Sequence, residues 1–232
     1  MEFKNPVSSR TSPILVFLDS LRNRKRITRK NKNSGLSSRR LILSVLIMVI
    51  CSSFAEAITY YTRGTGNWSA PSTWSTVVCG GAAAASIPGA ADDVQICNNH
   101  VITVDGTFSC ASLTINGGNQ TSYIIIPASN SLTVNGATTI TSDSNNDYKY
   151  IQVEGSYSTS SLTLNSGFNS QDAFLEITTG TVSITGNIIM NGINSFRTYI
   201  LFTGSGTLNV GGTISGGGIT SFTGGGPSAP TS

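Results

Sequence analysis

The feature that most limits what this chain can become is a six-residue phrase, used five times, in which two aliphatic residues alternate with hydroxyl or amide side chains. It reads Ser112-Leu113-Thr114-Ile115-Asn116-Gly117, Ser131-Leu132-Thr133-Val134-Asn135-Gly136, Ser161-Leu162-Thr163-Leu164-Asn165-Ser166, Thr181-Val182-Ser183-Ile184-Thr185-Gly186 and Thr207-Leu208-Asn209-Val210-Gly211-Gly212. Each is a period-two strand with one apolar side. Burying one such aliphatic side chain stabilises by about 1.5 to 3 kcal/mol, whereas ordering one residue of backbone costs about 1 to 2 kcal/mol. A single phrase therefore cannot stand alone, but stacked copies bury one another's apolar sides. The first aliphatic residues fall at 113, 132, 162, 182 and 208, in steps of 19, 30, 20 and 26. The expectation is one column of successive rungs, each closed by a turn of the Asn-Gly type.

Between the phrases runs a second ladder, Ile124-Ile125-Ile126, Tyr150-Ile151-Gln152-Val153, Phe174-Leu175-Glu176-Ile177 and Tyr199-Ile200-Leu201-Phe202; taken at 125, 151, 175 and 200 its steps are 26, 24 and 25. A third strand per coil is offered by Thr138-Thr139-Ile140 and Ile188-Ile189-Met190. This spells an all-β chain, a right-handed parallel β-helix with an N-terminal cap, the hand following from the general chirality of parallel crossovers. An antiparallel β-sandwich is the alternative, because turn signals about ten residues apart also suit it. The same-phase repetition favours the helix, with a cap over 58–91, rungs over 92–222 and a Gly/Pro/Ser linker over 223–232. The alanines at 82–85 are too few to nucleate a helix.

Charge separates a leader from the rest. Residues 1–57 hold eleven Lys or Arg against Glu2, Asp19 and Glu56, a balance of +8, and residues 58–232 hold Arg63, Lys149 and Arg197 against eight carboxylates, a balance of −5. The basic excess lies in the leader, which argues against nucleic acid as a partner of the folded part. Its basic run, the apolar stretch from Leu41 to Ile50 and the small residues up to Ala57 follow the order of a secretory signal peptide cleaved after Ala57. The apolar stretch is short for a span, so the expected product is secreted or held at the outer cell surface, with no stable membrane span after cleavage.

Cys79, Cys97 and Cys110 remain after Ala57. In an oxidising compartment the expected disulfide is Cys79–Cys97, with Cys97–Cys110 competing. His100 lacks partners for a zinc site and reads as a satisfied surface residue. Trp68 and Trp74 suit either a sugar-stacking platform or the plug of the first rung. Asp143, Asn145 and Asp147 alternate as oxygen ligands do in a calcium loop, although the downstream bidentate Glu is missing and a plain turn explains them as well. Calcium is thus a candidate cofactor and no other is indicated. Asp92-Asp93 reads as a strand-entry turn.

Gly66-Asn67-Trp68-Ser69, Thr73-Trp74-Ser75, Pro88-Gly89-Ala90-Ala91-Asp92-Asp93-Val94-Gln95-Ile96 and Ser112-Leu113-Thr114-Ile115-Asn116 follow in that order. The sequence 60–136 thereby resembles the start of secreted repeat proteins of Bacteroidetes-type bacteria. These are adhesin-like surface polypeptides with a β-helical body, exported through the type IX pathway. The resemblance implies a surface location and supplies no activity. Residues 223–232 depart from the C-terminal sorting domain usual in that group, so the expectation is either a truncated tail of a longer chain or export by the general route alone.

Two function classes follow. One is a non-catalytic structural or adhesive module, meeting extracellular glycans or neighbouring surface proteins through rows of Ser, Thr and Asn. The other is a polysaccharide lyase or glycoside hydrolase on the same scaffold, using Asp143, Asp147, Glu154, Asp172 or Glu176 with Arg197. Three basic residues and one His after residue 57 make a catalytic constellation hard to assemble, and no known nucleophile, metal or nucleotide motif is present.

Overall fold

The structure is a computed structural model that describes residues 56–97, 99–118, 120–142, 148–167, 172–192, 197–217 and 219–224. The leader and the calcium-like stretch Asp143, Asn145 and Asp147 lie outside the described residues. Residues from Ala55 onward form one compact unit.

That unit is a parallel β-helix with three strands per coil. The first face is built of Thr107–Cys110, the 131–134 part of Ser131–Ser142, the 156–159 part of Ser156–Ser166, Thr181–Ile184 and Thr207–Val210. The second face runs through Thr59–Thr62, Asp93–Ile96, Ser112–Ile115, the 137–142 and 161–166 parts of the two long strands, Ile188–Gly192 and Ile214–Gly217. The third holds Gly66–Asn67, Val101–Thr103, Ser122–Ile126, Tyr148–Val153, Asp172–Ile177, Arg197–Phe202 and Ile219–Gly224. Parallel pairing throughout these faces excludes the sandwich, whose neighbouring strands run antiparallel.

The five phrases form two columns rather than one. Leu132, Val182 and Leu208 lie on the first face, where Tyr157 pairs with both Leu132 and Val182, and Val182 pairs with Leu208. Leu113 and Leu162 lie on the second, each paired with Thr138. The steps of 19, 30 and 20 arise from alternating between columns, and the step of 26 stays within the first. Within a column the interval is regular: Leu132 to Tyr157, Tyr157 to Val182 and Val182 to Leu208 are 25, 25 and 26 residues. Of the five aliphatic residues, four point into the core with no exposed surface, and Leu208 packs against it partly buried. On the third face the inward member is Ile124, paired with Ile151, and not Ile125. The strands Thr138–Ile140 and Ile188–Met190 do supply the third side, meeting through Leu162.

Glycines make the corners. Asn135-Gly136 is no closed turn, for Ser131–Ser142 runs through it as one bent strand. Gly136 N–H donates to Ala111 O at 2.7 Å, and a Cβ there would lie 2.7 Å from the same oxygen, too close for any side chain. Gly155 does the same between the third and first faces, where a Cβ would collide with Asn130 O and Pro127 O.

Candidate functional site

The first face presents two columns of outward side chains, Thr107, Ser131, Ser156, Thr181 and Thr207 in one, Ser109, Thr133, Ser158, Ser183 and Asn209 in the other. They follow from the period-two phrase once its aliphatic residues are committed inward. Nine are hydroxyls and one is an amide, and all are half-buried or exposed. Neighbours in a column are one strand spacing apart, about 4.8 Å, and the two columns are separated by two residues of strand, about 6.6 Å. Among the described residues one hydrogen bond, Ser158 Oγ to Thr133 Oγ1 at 3.2 Å, joins side chains within this array. The remaining donors and acceptors face outward, a flat uncharged grid fit for hydrogen bonding.

The third face is the opposite in chemistry. Tyr123, Tyr150, Phe174 and Tyr199 occupy one outward column, with ring centroids 4.4, 4.5 and 4.8 Å apart and planes within 8° of parallel. Registered strands place equivalent side chains one above another, and flat rings fill that spacing. Beside them the guanidinium of Arg197 donates to both oxygens of Asp172, at 2.8 and 3.2 Å, and Tyr199 Oη donates to Asp172 Oδ2 at 3.3 Å. The hydrogen bond and charge of Asp172 raise the Arg197 pKa further. Burial, followed by the neighbouring Tyr123, pushes the Tyr150 phenol well above its ordinary value, and burial followed by Asp172 does so for Tyr199. Because each inner ring has its faces covered by its neighbours, the ladder offers edges and not a sugar-stacking surface.

Two of the carboxylates named for a catalytic reading, Asp172 and Glu176, are already engaged. Asp172 is held by Arg197, and Glu176 accepts from Thr203 Oγ1 at 3.1 Å. Among the described residues no group of three His, Cys, Asp or Glu is placed to hold a metal ion. Glu154 lies at the end of the third face, where its backbone carbonyl accepts from Thr179 Oγ1.

The N-terminal end corrects the platform expectation for Trp68 and Trp74. Both indoles have no exposed surface, meet edge to face at 4.9 Å, and lie against the core, with Trp68 stacked on Phe108 at 6.1 Å. Trp74 Nε1 donates to Trp68 O at 2.8 Å. Sealing the first coil takes precedence, so neither ring reaches a ligand. The Cys79–Cys97 disulfide is formed and ties the loop after Trp74 to the coil. Cys110 is a free thiol inside the core, where burial pushes its pKa to about 12. His100 Nδ1 lies 2.8 Å from Thr62 Oγ1. Asp92 accepts from the amides of Gly89 at 2.8 Å and Ile58 at 3.1 Å, and Asp93 accepts from Ser112 Oγ at 2.5 Å, which fits a strand-entry turn.

Lys149, one of the three basic residues after residue 57, lies in the core. It points inward and is fully buried, donating to Gln120 O and to Ser122 Oγ at 3.5 Å. Its phase with Ile151 and Val153 was the available signal. No helix among the described residues is long and apolar enough to cross a membrane. No known protein family, characterised protein or solved structure matches the chain.

Proposed function

We propose that this chain is a non-catalytic structural or adhesive module of the outer cell surface, and that its first face meets neutral glycans or hydroxyl-rich neighbouring proteins. The observation that carries this reading is the uncharged grid of ten outward polar side chains on a rigid stack. Such a face has no ions, the costliest groups to strip of water, and it offers paired donors and acceptors at fixed intervals that can replace its hydrogen bonds to water. The disulfide agrees with an oxidising compartment. On this reading the leader directs export and the coils act as a spacer with one binding side.

The test is a panel of neutral and acidic polysaccharides offered to the purified chain, scored for retention and for cleavage. Retention without turnover, lost when Thr133 and Ser158 are replaced by bulky charged residues, is the expected outcome. Release of shortened products would establish a lyase or hydrolase instead.

A further inference from the structure

We propose that Tyr123 and Tyr150 are a modification site, two phenols set to be joined by one carbon–carbon bond when a peroxide-driven one-electron oxidant meets the third face. The pairing is built into the backbone register. Ser122–Ile126 and Tyr148–Val153 run parallel with Tyr123 opposite Tyr150, so the two side chains leave the same face one strand spacing apart. Their ring centroids lie 4.4 Å apart with planes 7° from parallel. Both residues keep part of their surface in solvent, which a buried pair would not.

The other tyrosines lack this arrangement. The chain has seven, and Tyr123–Tyr150 is the one ring contact among the described residues that joins two of them. On its far side Tyr150 stacks on Phe174, and Tyr199 stacks on Phe174 in turn. Phe174 has no O–H hydrogen to lose, so it separates Tyr199 from the reactive pair. Tyr60 and Tyr157 are buried, with hydroxyls within hydrogen-bond distance of Ser86 Oγ and Thr138 Oγ1. Tyr61 and Tyr148 reach solvent but touch no second phenol ring.

The chemistry balances. Each phenol gives one electron and its Oη proton to the oxidant, and the two electrons and two protons reduce one hydrogen peroxide to two waters. The resulting phenoxyl radicals combine through one Cε carbon of each ring, next to the oxygen. Each of those carbons then passes its hydrogen to its own oxygen, which restores two phenols on one biaryl. The strand register holds the second ring beside the first, so the coupling step needs no encounter between molecules. The bond joins residues 27 apart in sequence and ties two neighbouring coils, constraining the unfolded chain as a disulfide does. It leaves the hydroxyl grid of the first face untouched and does not depend on glycan binding.

The full chain is treated with a haem peroxidase and hydrogen peroxide, and the product is read by intact mass, peptide mapping and biaryl fluorescence. The expected product is a single chain lighter by two hydrogens, with the peptides of Tyr123 and Tyr150 joined and the urea midpoint raised. Tyr123→Phe and Tyr150→Phe keep the rings and remove one hydroxyl each, and either is expected to abolish the product. Tyr148→Phe and Tyr199→Phe are expected to leave its yield unchanged. Phe174→Tyr supplies the missing hydroxyl and is expected to admit a further cross-link at position 174. Should a variant fail to fold, the peptide map of the unaltered chain decides alone. Oxidation without a cross-link, coupling only between chains, or joining of any other pair in place of Tyr123 and Tyr150 overturns the proposal.

Discussion

The first face turns ten uncharged polar side chains outward and the third turns a four-ring stack beside an ion pair outward, although each rests on its own inward columns of largely apolar residues. The difference shows how labour divides in a solenoid. Burial dictates every second residue, and the alternate residues are free to differ from face to face. On the third face they are spent on stacking neighbouring coils together. On the first they make few contacts with one another, which leaves them available to a partner.

The comparison breaks first if the two interiors are not equivalent. Leu132→Ala on the first face and Leu175→Ala on the third, both fully buried, are each expected to destabilise by about 2 to 5 kcal/mol, measured by urea unfolding. A large inequality would mean that one column does not pack as described. The outward positions must then diverge. Tyr150→Ala loses two ring contacts and is expected to destabilise by about 1 to 3 kcal/mol at about 0.5 to 1.5 per aromatic pair, whereas Ser158→Ala is expected to stay within about 0.5 kcal/mol. Equal losses would assign a structural role to the hydroxyl grid.

Titration sharpens the same contrast. Phenols whose folded pKa is raised contribute stability that is fully present below the unfolded value and is lost as pH rises beyond it, here above about pH 10. Tyr150 and Tyr199 on the third face, with the buried Tyr157, have such raised values. The urea midpoint is therefore expected to fall in alkali, and Tyr150→Phe to fall less; an unchanged alkaline slope in that variant contradicts the ladder's burial. The smallest effect is ionic. Arg197 is largely exposed while Asp172 is not, so Arg197→Ala is expected to cost about 1 kcal/mol or less, diminishing with salt, while changes on the first face show no salt dependence.

Much of this architecture was legible in the residues. Period two fixed which side chains face inward at Leu113, Leu132, Leu162 and Val182, and the odd cysteine count left a pairing that the cap loop resolves as Cys79–Cys97. The assignment of phrases to faces was not legible, because Ser112-Leu113-Thr114-Ile115 and Ser131-Leu132-Thr133-Val134 are alike in local chemistry. What separates them is the path of the chain between them, and the intervals that reveal it are those between alternate phrases: 113 to 162 is 49 residues and 132 to 182 is 50, two coils each. The tryptophans were ambiguous for a different reason. An indole near a chain entry fits a ligand surface or a plug, and the need to seal the first coil, which already favoured the plug, decides. Lys149 escaped notice because an inward lysine runs against the cost of burying charge, which here is met by Gln120 O and Ser122 Oγ among its partners.

The central claim is the register that divides the phrases between two faces, and thiol cross-linking tests it most directly. Thr133 and Ser158 are partners on adjacent strands of the first face, whereas Thr114 belongs to the second. With Cys110 buried, a short bifunctional thiol reagent is expected to link Thr133→Cys to Ser158→Cys and to leave Thr114→Cys with Thr133→Cys unlinked. Efficient linkage of the second pair with none in the first would contradict the three-sided stack.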